Sequence, residues 1–233
     1  MMAIETNQIF PEQELRPEPK FDAILVHGYW MSEPVSGDVR SALRTRLATR
    51  SAALAYDRGD GARNIVLPLG KLWGQDYESL GNLMADELEF KYGVPPGTII
   101  REGNAFSTGG EIKTFLEIAQ KNGWTKLLDI AFSAHFLTIP HVFDAYSKDD
   151  GKITVQFRSV EEIIESEDYE LVSGLVKRLG KSRYGIAHKV YERGKQIVTK
   201  IHGTDYDSLE ERNKMARTKK GKEFPISFDV YKI

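Results

Sequence analysis

Short apolar runs alternate with amphipathic stretches over the first 146 residues of this 233-residue chain. Four apolar runs, which begin at residues 21, 64, 98 and 126, have the near-continuous apolar character of strands that are buried on both faces. The segments between them (residues 38–58, 77–91 and 108–122) have helical spacing of their apolar residues. Strands that alternate with helices predict a mostly parallel sheet covered by helices on both faces, which is an α/β three-layer sandwich.

The pattern changes after Tyr146. Residues 152–157 alternate like a strand, and Ser159 with Glu162 has the spacing of a capping box at the start of a short helix. Two later segments have helical spacing, and the last residues alternate like a half-buried strand (residues 171–179, 184–201 and 224–230). We therefore predict one domain at residues 21–146. Residues 147–233 are predicted to form a mainly helical C-terminal extension with a terminal strand, packed on the same domain.

The net charge of −2 conceals an uneven distribution of charge. Residues 176–222 carry 14 Lys and Arg against 5 Asp and Glu, whereas the remainder carries 18 against 29. One interpretation is a solvated helical face, and the spread of the basic residues along helices favours it. The alternative is a non-enzymatic binding module, which would use this basic segment on nucleic acid or on an anionic membrane surface.

The composition bears on the compartment. The chain has no Cys, which excludes disulfides and thiolate metal sites and is typical of a reducing cytoplasm. No apolar run approaches the roughly 20 residues that cross a bilayer. The first 20 residues contain acidic residues and prolines where a signal peptide would have an apolar core. We expect a cytoplasmic protein.

The segment REGNAFSTGGE (residues 101–111) predicts a ligand site. Glu102 lies where a strand ends, and Ser107 and Thr108 follow where the next helix begins. Right-handed crossovers bring all strand-to-helix loops to one edge of a parallel sheet, where small polar ligands are held. Glu111 also has a structural interpretation, since Thr108 and Glu111 match a capping box in which Thr108 caps the helix and Glu111 reaches back.

Two histidines lie at the same predicted edge. His135 follows the fourth strand, and a histidine opposite a carboxylate is a candidate acid–base group or metal ligand. We predict catalytic or polar roles for Glu102 and His135, and ligand contacts for His27 and Ser133. No GxSxG motif surrounds Ser133, which argues against serine-hydrolase chemistry.

The loops after the first two strands contain Gly28 and Gly70, where a ligand can approach the backbone closely. Lys71 is placed to meet a phosphate or a carboxylate. Neither loop matches the GxGxxG dinucleotide motif or the GxxxxGK[ST] phosphate loop, and the chain has no HExxH motif. If the protein is an enzyme, the sequence therefore favours hydrolysis or group transfer over redox chemistry, and we predict no metal ligands.

Taken together, these segments resemble the YdcF/SanA/ElyC-like domain family over about residues 21–146. The matching pieces, in chain order, are His27-Gly28, Arg46-Leu47, Leu69-Gly70, Glu78, Gly93-Val94-Pro95, residues 102–108 and His135. The chain departs from the family pattern at three positions. Gly110 stands in place of Glu, Glu111 in place of Asn, and Thr138 in place of an Arg.

The resemblance implies a Rossmann-like fold that binds a small nucleotide-like or phosphorylated ligand, with S-adenosylmethionine as the ligand of one branch. The reaction of the family is not established. The ligand would lie between the loops that follow the first four strands. Arg46 and Glu78, both on predicted helices, would form a supporting ion pair or contact the ligand.

Overall fold

The computed structural model describes residues 18–29, 43–57, 61–71, 77–147 and 152–166. The basic segment 176–222, the predicted helices at 171–179 and 184–201 and the predicted strand at 224–230 lie outside the described residues. Among the helices that are described, none has both the length and the apolar character needed to cross a membrane.

Five parallel strands form one sheet, in the order β3-β2-β1-β4-β5. The strands are β1 (Phe21–Val26), β2 (Ala62–Leu69), β3 (Ile99–Ala105), β4 (Lys126–Ala131) and β5 (Thr154–Ser159). The helices are α1 (Leu43–Asp57), α2 (Leu80–Asp86), α3 (Thr108–Asn122), α4 (Ile139–Tyr146) and α5 (Val160–Glu165). A π-helical turn, Glu87–Lys91, extends α2, and two 3-10 turns (Pro96–Thr98 and Ser133–Leu137) precede β3 and α4. The predicted α/β fold is confirmed.

Helices cover both faces of the sheet. Ile24 and Val26 of β1 belong to a core shared with α1, α2 and α5, whereas Ala23 and Leu25 belong to a second core shared with α3 and α4. Alternate residues of one strand thus pack against opposite helical layers, as the side-chain period of two requires. The arrangement is a Rossmann-like three-layer sandwich.

The sheet continues beyond Tyr146. β5 pairs with β4 in parallel along its full length, from Lys126 opposite Thr154 to Ala131 opposite Ser159. Ser159 caps α5 through the complete capping box with Glu162 that the sequence predicts. The part of the predicted C-terminal extension that is described therefore belongs to the same sheet.

The strand order reverses between β1 and β4. The chain proceeds from β1 outward to β2 and β3, and then returns to place β4 on the other side of β1. α1 and α4, which follow these two strands, lie on opposite faces of the sheet. Open α/β sheets bind ligands in the crevice outside the strands' carboxyl ends at such a switch point, so we sought the functional site there.

Candidate functional site

Three ionisable side chains meet, fully buried, at the switch point. His27 directly follows β1, and its ring Nδ1 lies 2.5 Å from Oε2 of Glu111 in α3. Its Nε2 lies 2.8 Å from Oδ2 of Asp129 in β4. The exposed fractions of His27, Glu111 and Asp129 are 0%, 3% and 0%. We refer to these three residues as the buried triad.

Strand register and helix placement bring the buried triad together. Asp129 pairs with Leu25 across the β1–β4 ladder, and His27 is two residues beyond Leu25, on the same face of the sheet. That face also carries Ala23, Leu127 and Ala131, and α3 covers it with Ile112 and Phe115. Glu111 lies next to Ile112 in the first turn of α3, and it reaches His27 from above the sheet.

His27 is positively charged at neutral pH. Burial lowers the pKa of His27, but the charges of Asp129 and Glu111 and their hydrogen bonds outweigh it and raise the pKa from 6.5 to about 10. With a carboxylate at each ring nitrogen, both nitrogens donate, which only the imidazolium can do. With both carboxylates ionised, the buried triad has a formal charge of −1.

In each carboxylate of the buried triad, one oxygen contacts His27 and the other does not. Glu111 Oε1 and Asp129 Oδ1 are buried and have no hydrogen-bond partner among the described residues. Buried polar atoms of native proteins nearly always have a partner, which can be protein, water or ligand. The buried triad therefore presents one unpartnered acceptor on each of its two carboxylates.

Two aromatic side chains lie beside the buried triad. His135, in the 3-10 turn after β4, is 7% exposed, and its ring centroid is 6.3 Å from that of His27 and 4.7 Å from that of Tyr29. The Tyr29 hydroxyl accepts a hydrogen bond from the Phe132 N–H at 2.5 Å. Burial raises the pKa of Tyr29 well above its ordinary value, so its hydroxyl stays neutral. The structure thus brings two predicted site residues, His27 and His135, together.

Glu102 is not part of this cluster. It lies on β3, the edge strand of the sheet, within an exposed stretch at residues 101–104. The structure gives its side chain no hydrogen bond or ion pair with any described residue. A carboxylate at a strand end needs a buried partner only where water is excluded, and Glu102 has none because an edge strand leaves it in solvent.

The capping interpretation of Glu111 is also wrong. The N-cap of α3 is Ser107, whose Oγ accepts a hydrogen bond from the Gly110 N–H at 3.1 Å. Thr108 is the first residue of the helix, one position later than a capping residue. Because the cap precedes Thr108, Glu111 lies one residue beyond the position from which a side chain reaches back, and it turns to His27 instead.

Three other predicted residues have local structural partners. The backbone N–H and the hydroxyl of Ser133 both donate to the carboxylate of Glu161, at 3.0 and 2.9 Å. The predicted ion pair between Arg46 and Glu78 is not formed. Arg46 lies 3.7 Å from Glu87. The Glu78 carboxylate accepts from the Asn82 amide and the Ser79 N–H, and these bonds lower its pKa.

The two predicted glycines are required by close packing within the protein. A Cβ at Gly28 would collide with Leu69 and lie 2.6 Å from Cδ2 of Leu80, whereas one at Gly70 would lie 2.8 Å from the Gly103 carbonyl oxygen. Lys71 follows Gly70 and is half-buried, and its positive charge contributes to the lowered pKa of Glu78. Gly28 and Gly70 thus hold the ends of β1 and β2 close to their neighbours.

Sequence reasoning missed Asp129. The signal was present, since Asp129 is the one charged residue inside the apolar run LLDIAF at residues 127–132. A carboxylate in a strand that is buried on both faces requires a partner, because an isolated buried charge is too costly. Applied to Asp129, this argument predicts the buried partner that the structure shows, whereas the exposed Glu102 needs none.

No group of three or more His, Asp or Glu side chains in the described ranges is arranged to hold a metal ion. Comparison of the chain with protein-family models, with curated proteins and with solved structures finds no match.

Proposed function

We propose that the protein binds a small nucleotide-like or phosphorylated ligand over the carboxyl ends of β1 and β4. The observation that carries this proposal is the buried triad at the strand switch point. Burying ions costs several kcal/mol per ion even after relaxation, and strongly perturbed ionisable groups cluster at functional sites. Burying three ionisable groups from three separate parts of the chain carries a free-energy cost that a purely structural role does not explain.

The topology supports the ligand class. The strand order β3-β2-β1-β4-β5 has its switch point between β1 and β4, and Rossmann-like folds bind nucleotides at such a switch point, which supports the proposal. The resemblance to the YdcF-like family over residues 21–146 leads to the same expectation, and we propose membership of that family. S-adenosylmethionine is accordingly one candidate ligand. The absence of Cys supports a cytoplasmic location in this proposal.

The residues of the site would have different roles. His27, held as an imidazolium, keeps the two carboxylates in place and is not available as a base at neutral pH. Any acid–base step of a hydrolase or transferase would fall to His135, which lies next to it. Tyr29 would offer a flat neutral surface beside His135. Ser107, Thr108 and Lys71 would contact more distant parts of the ligand from the rim, whereas the exposed Glu102 would make no ligand contact.

The test is a thermal-shift screen with S-adenosylmethionine, nucleotides, nucleotide sugars and sugar phosphates. A ligand at 100 times its Kd stabilises the folded state by about 2.7 kcal/mol, which is readily measured. The screen is run on the wild type and on two matched variants, Glu111→Gln and Glu102→Gln, each compared with its own unliganded Tm. We expect a stabilising ligand whose effect is lost in Glu111→Gln and kept in Glu102→Gln. A panel without any stabilising compound, or a hit indifferent to Glu111→Gln, would refute the proposal.

A further inference from the structure

The buried triad also indicates the chemistry of the ligand group that it would meet. Building on the function proposed above, we propose that the ligand presents a protonated amino group to the buried triad, at the unpartnered oxygen of Glu111 (Oε1) or of Asp129 (Oδ1). These two oxygens are buried, belong to carboxylates that both contact His27, and have no hydrogen-bond partner among the described residues.

The charge of the site selects a cation. The two carboxylates share a single imidazolium, so the buried triad is negative by one unit when both are ionised. A phosphate or a carboxylate placed at the two oxygens would meet like charge in a site of low dielectric constant, where repulsion is strong. The anionic part of a phosphorylated ligand must therefore lie away from these oxygens.

The hydrogen-bonding pattern selects a donor with several protons. Both oxygens are acceptors only, and an ammonium group has three N–H donors and no acceptor. Charge-assisted hydrogen bonds of this kind are about twice as strong as neutral ones. A hydroxyl group has one proton and brings no charge, so it would satisfy one oxygen and leave the charge of the site uncompensated.

The experiment uses pairs of compounds that differ only in an amine and a hydroxyl. We would titrate the full-length protein by calorimetry with 5′-amino-5′-deoxyadenosine and adenosine, and then with glucosamine 6-phosphate and glucose 6-phosphate. We expect the amine of at least one pair to bind about tenfold or more tightly than its partner, the ratio that one charge-assisted hydrogen bond provides. Glu111→Gln and Asp129→Asn should each abolish the preference, and Glu102→Gln should retain it.

Several results would overturn the inference while leaving the proposed function standing. One is equal affinity within both pairs, which is what a water molecule on the two oxygens predicts. Others are a preference that survives both Glu111→Gln and Asp129→Asn, or the binding of a divalent cation that competes with the amine-free ligand of the screen. The comparison of amine and hydroxyl compounds on the wild-type protein needs no variant, so it tests the inference even if Asp129→Asn fails to fold. If none of the four compounds binds, the inference fails. If no compound of the thermal-shift panel stabilises the protein either, the proposed function also fails.

Discussion

Glu111 and Glu102 are two glutamates near the same edge of the sheet, yet their surroundings are opposite. Glu111 is 3% exposed and contacts a charged histidine, whereas Glu102 is exposed and has no described partner. The difference follows from the sheet order. β1 and β4 are central strands under α3, so residues at their ends are covered, but β3 is an edge strand and its residues 101–104 face solvent. A strand end therefore makes a strong electrostatic site only where neighbouring strands and a helix exclude water.

Burial decides what each charge contributes. Between buried groups the effective dielectric constant is low, so an ion pair is strong and the loss of one partner is costly. Around Glu102 and its neighbours on β3, water and salt screen each interaction. Substitutions in the buried triad should therefore cost more stability than matched substitutions on β3.

His27→Ala should destabilise the protein most. The substitution leaves two carboxylates buried without their shared cation, and removing one partner of a buried ion pair costs about 3–5 kcal/mol. Urea unfolding followed by circular dichroism measures the free energy of unfolding of the variant and of the wild type. A loss below about 1 kcal/mol, the range of an exposed pair, would contradict the buried triad as described.

The contribution of His27 should fade as the pH rises. Because the pKa of His27 is raised in the folded protein from 6.5 to about 10, its stabilising effect is complete below pH 6.5 and is lost as the pH approaches 10. Urea unfolding at a series of pH values should show the difference between wild type and His27→Ala shrinking over this window. The variant serves as the control for titrating groups that do not contact His27, and a difference that stays constant from pH 6.5 to 10 would rule out a raised pKa for His27.

The matched pair Glu111→Gln and Glu102→Gln should separate the two regions directly. Glu111→Gln replaces a charge-assisted hydrogen bond to His27 and should cost about 1.5–3 kcal/mol. Glu102→Gln makes the same chemical change in solvent and should stay within about 0.5 kcal/mol of the wild type. Thermal and urea unfolding of both variants measure the contrast. Equal losses in the free energy of unfolding would mean that the buried carboxylate of Glu111 contributes no more to stability than the exposed carboxylate of Glu102.

The local patterns in the sequence predicted most of the elements. Apolar runs located the first four strands, and helical spacing located α1, α2 and α3 because their buried faces repeat with the helical period. Ser159 and Glu162 predicted the start of α5, since a capping box involves only residues within one turn. Features that depend on near neighbours in the chain were therefore accessible from sequence.

The buried triad could not be predicted from local sequence patterns in this way. Glu111 and Asp129 are separated from His27 by 84 and 102 residues, and their meeting depends on strand order and on the placement of α3. Sequence patterns predicted that strand ends share an edge but not which strands are central. His27 and His135 were selected for their positions at strand ends, whereas Asp129 lies inside β4 and was overlooked. Only the register that places Asp129 opposite Leu25 shows that it faces the same side as His27.

Arg101→Ala should have a much smaller effect than His27→Ala, although the contacts of Arg101 are nearly as short as those of His27. Arg101, on β3 and 36% exposed, lies 3.0 Å from Asp86 and 3.0 Å from Glu89. Exposed pairs of this kind contribute about 0.2–1 kcal/mol, so the variant should lose no more than that in urea unfolding. At about 1 M salt, where the Debye length is about 3 Å, this loss should nearly vanish while that of His27→Ala persists. A salt-resistant loss above about 2 kcal/mol for Arg101→Ala would show that contact distance, and not burial, sets the strength of ion pairs in this protein.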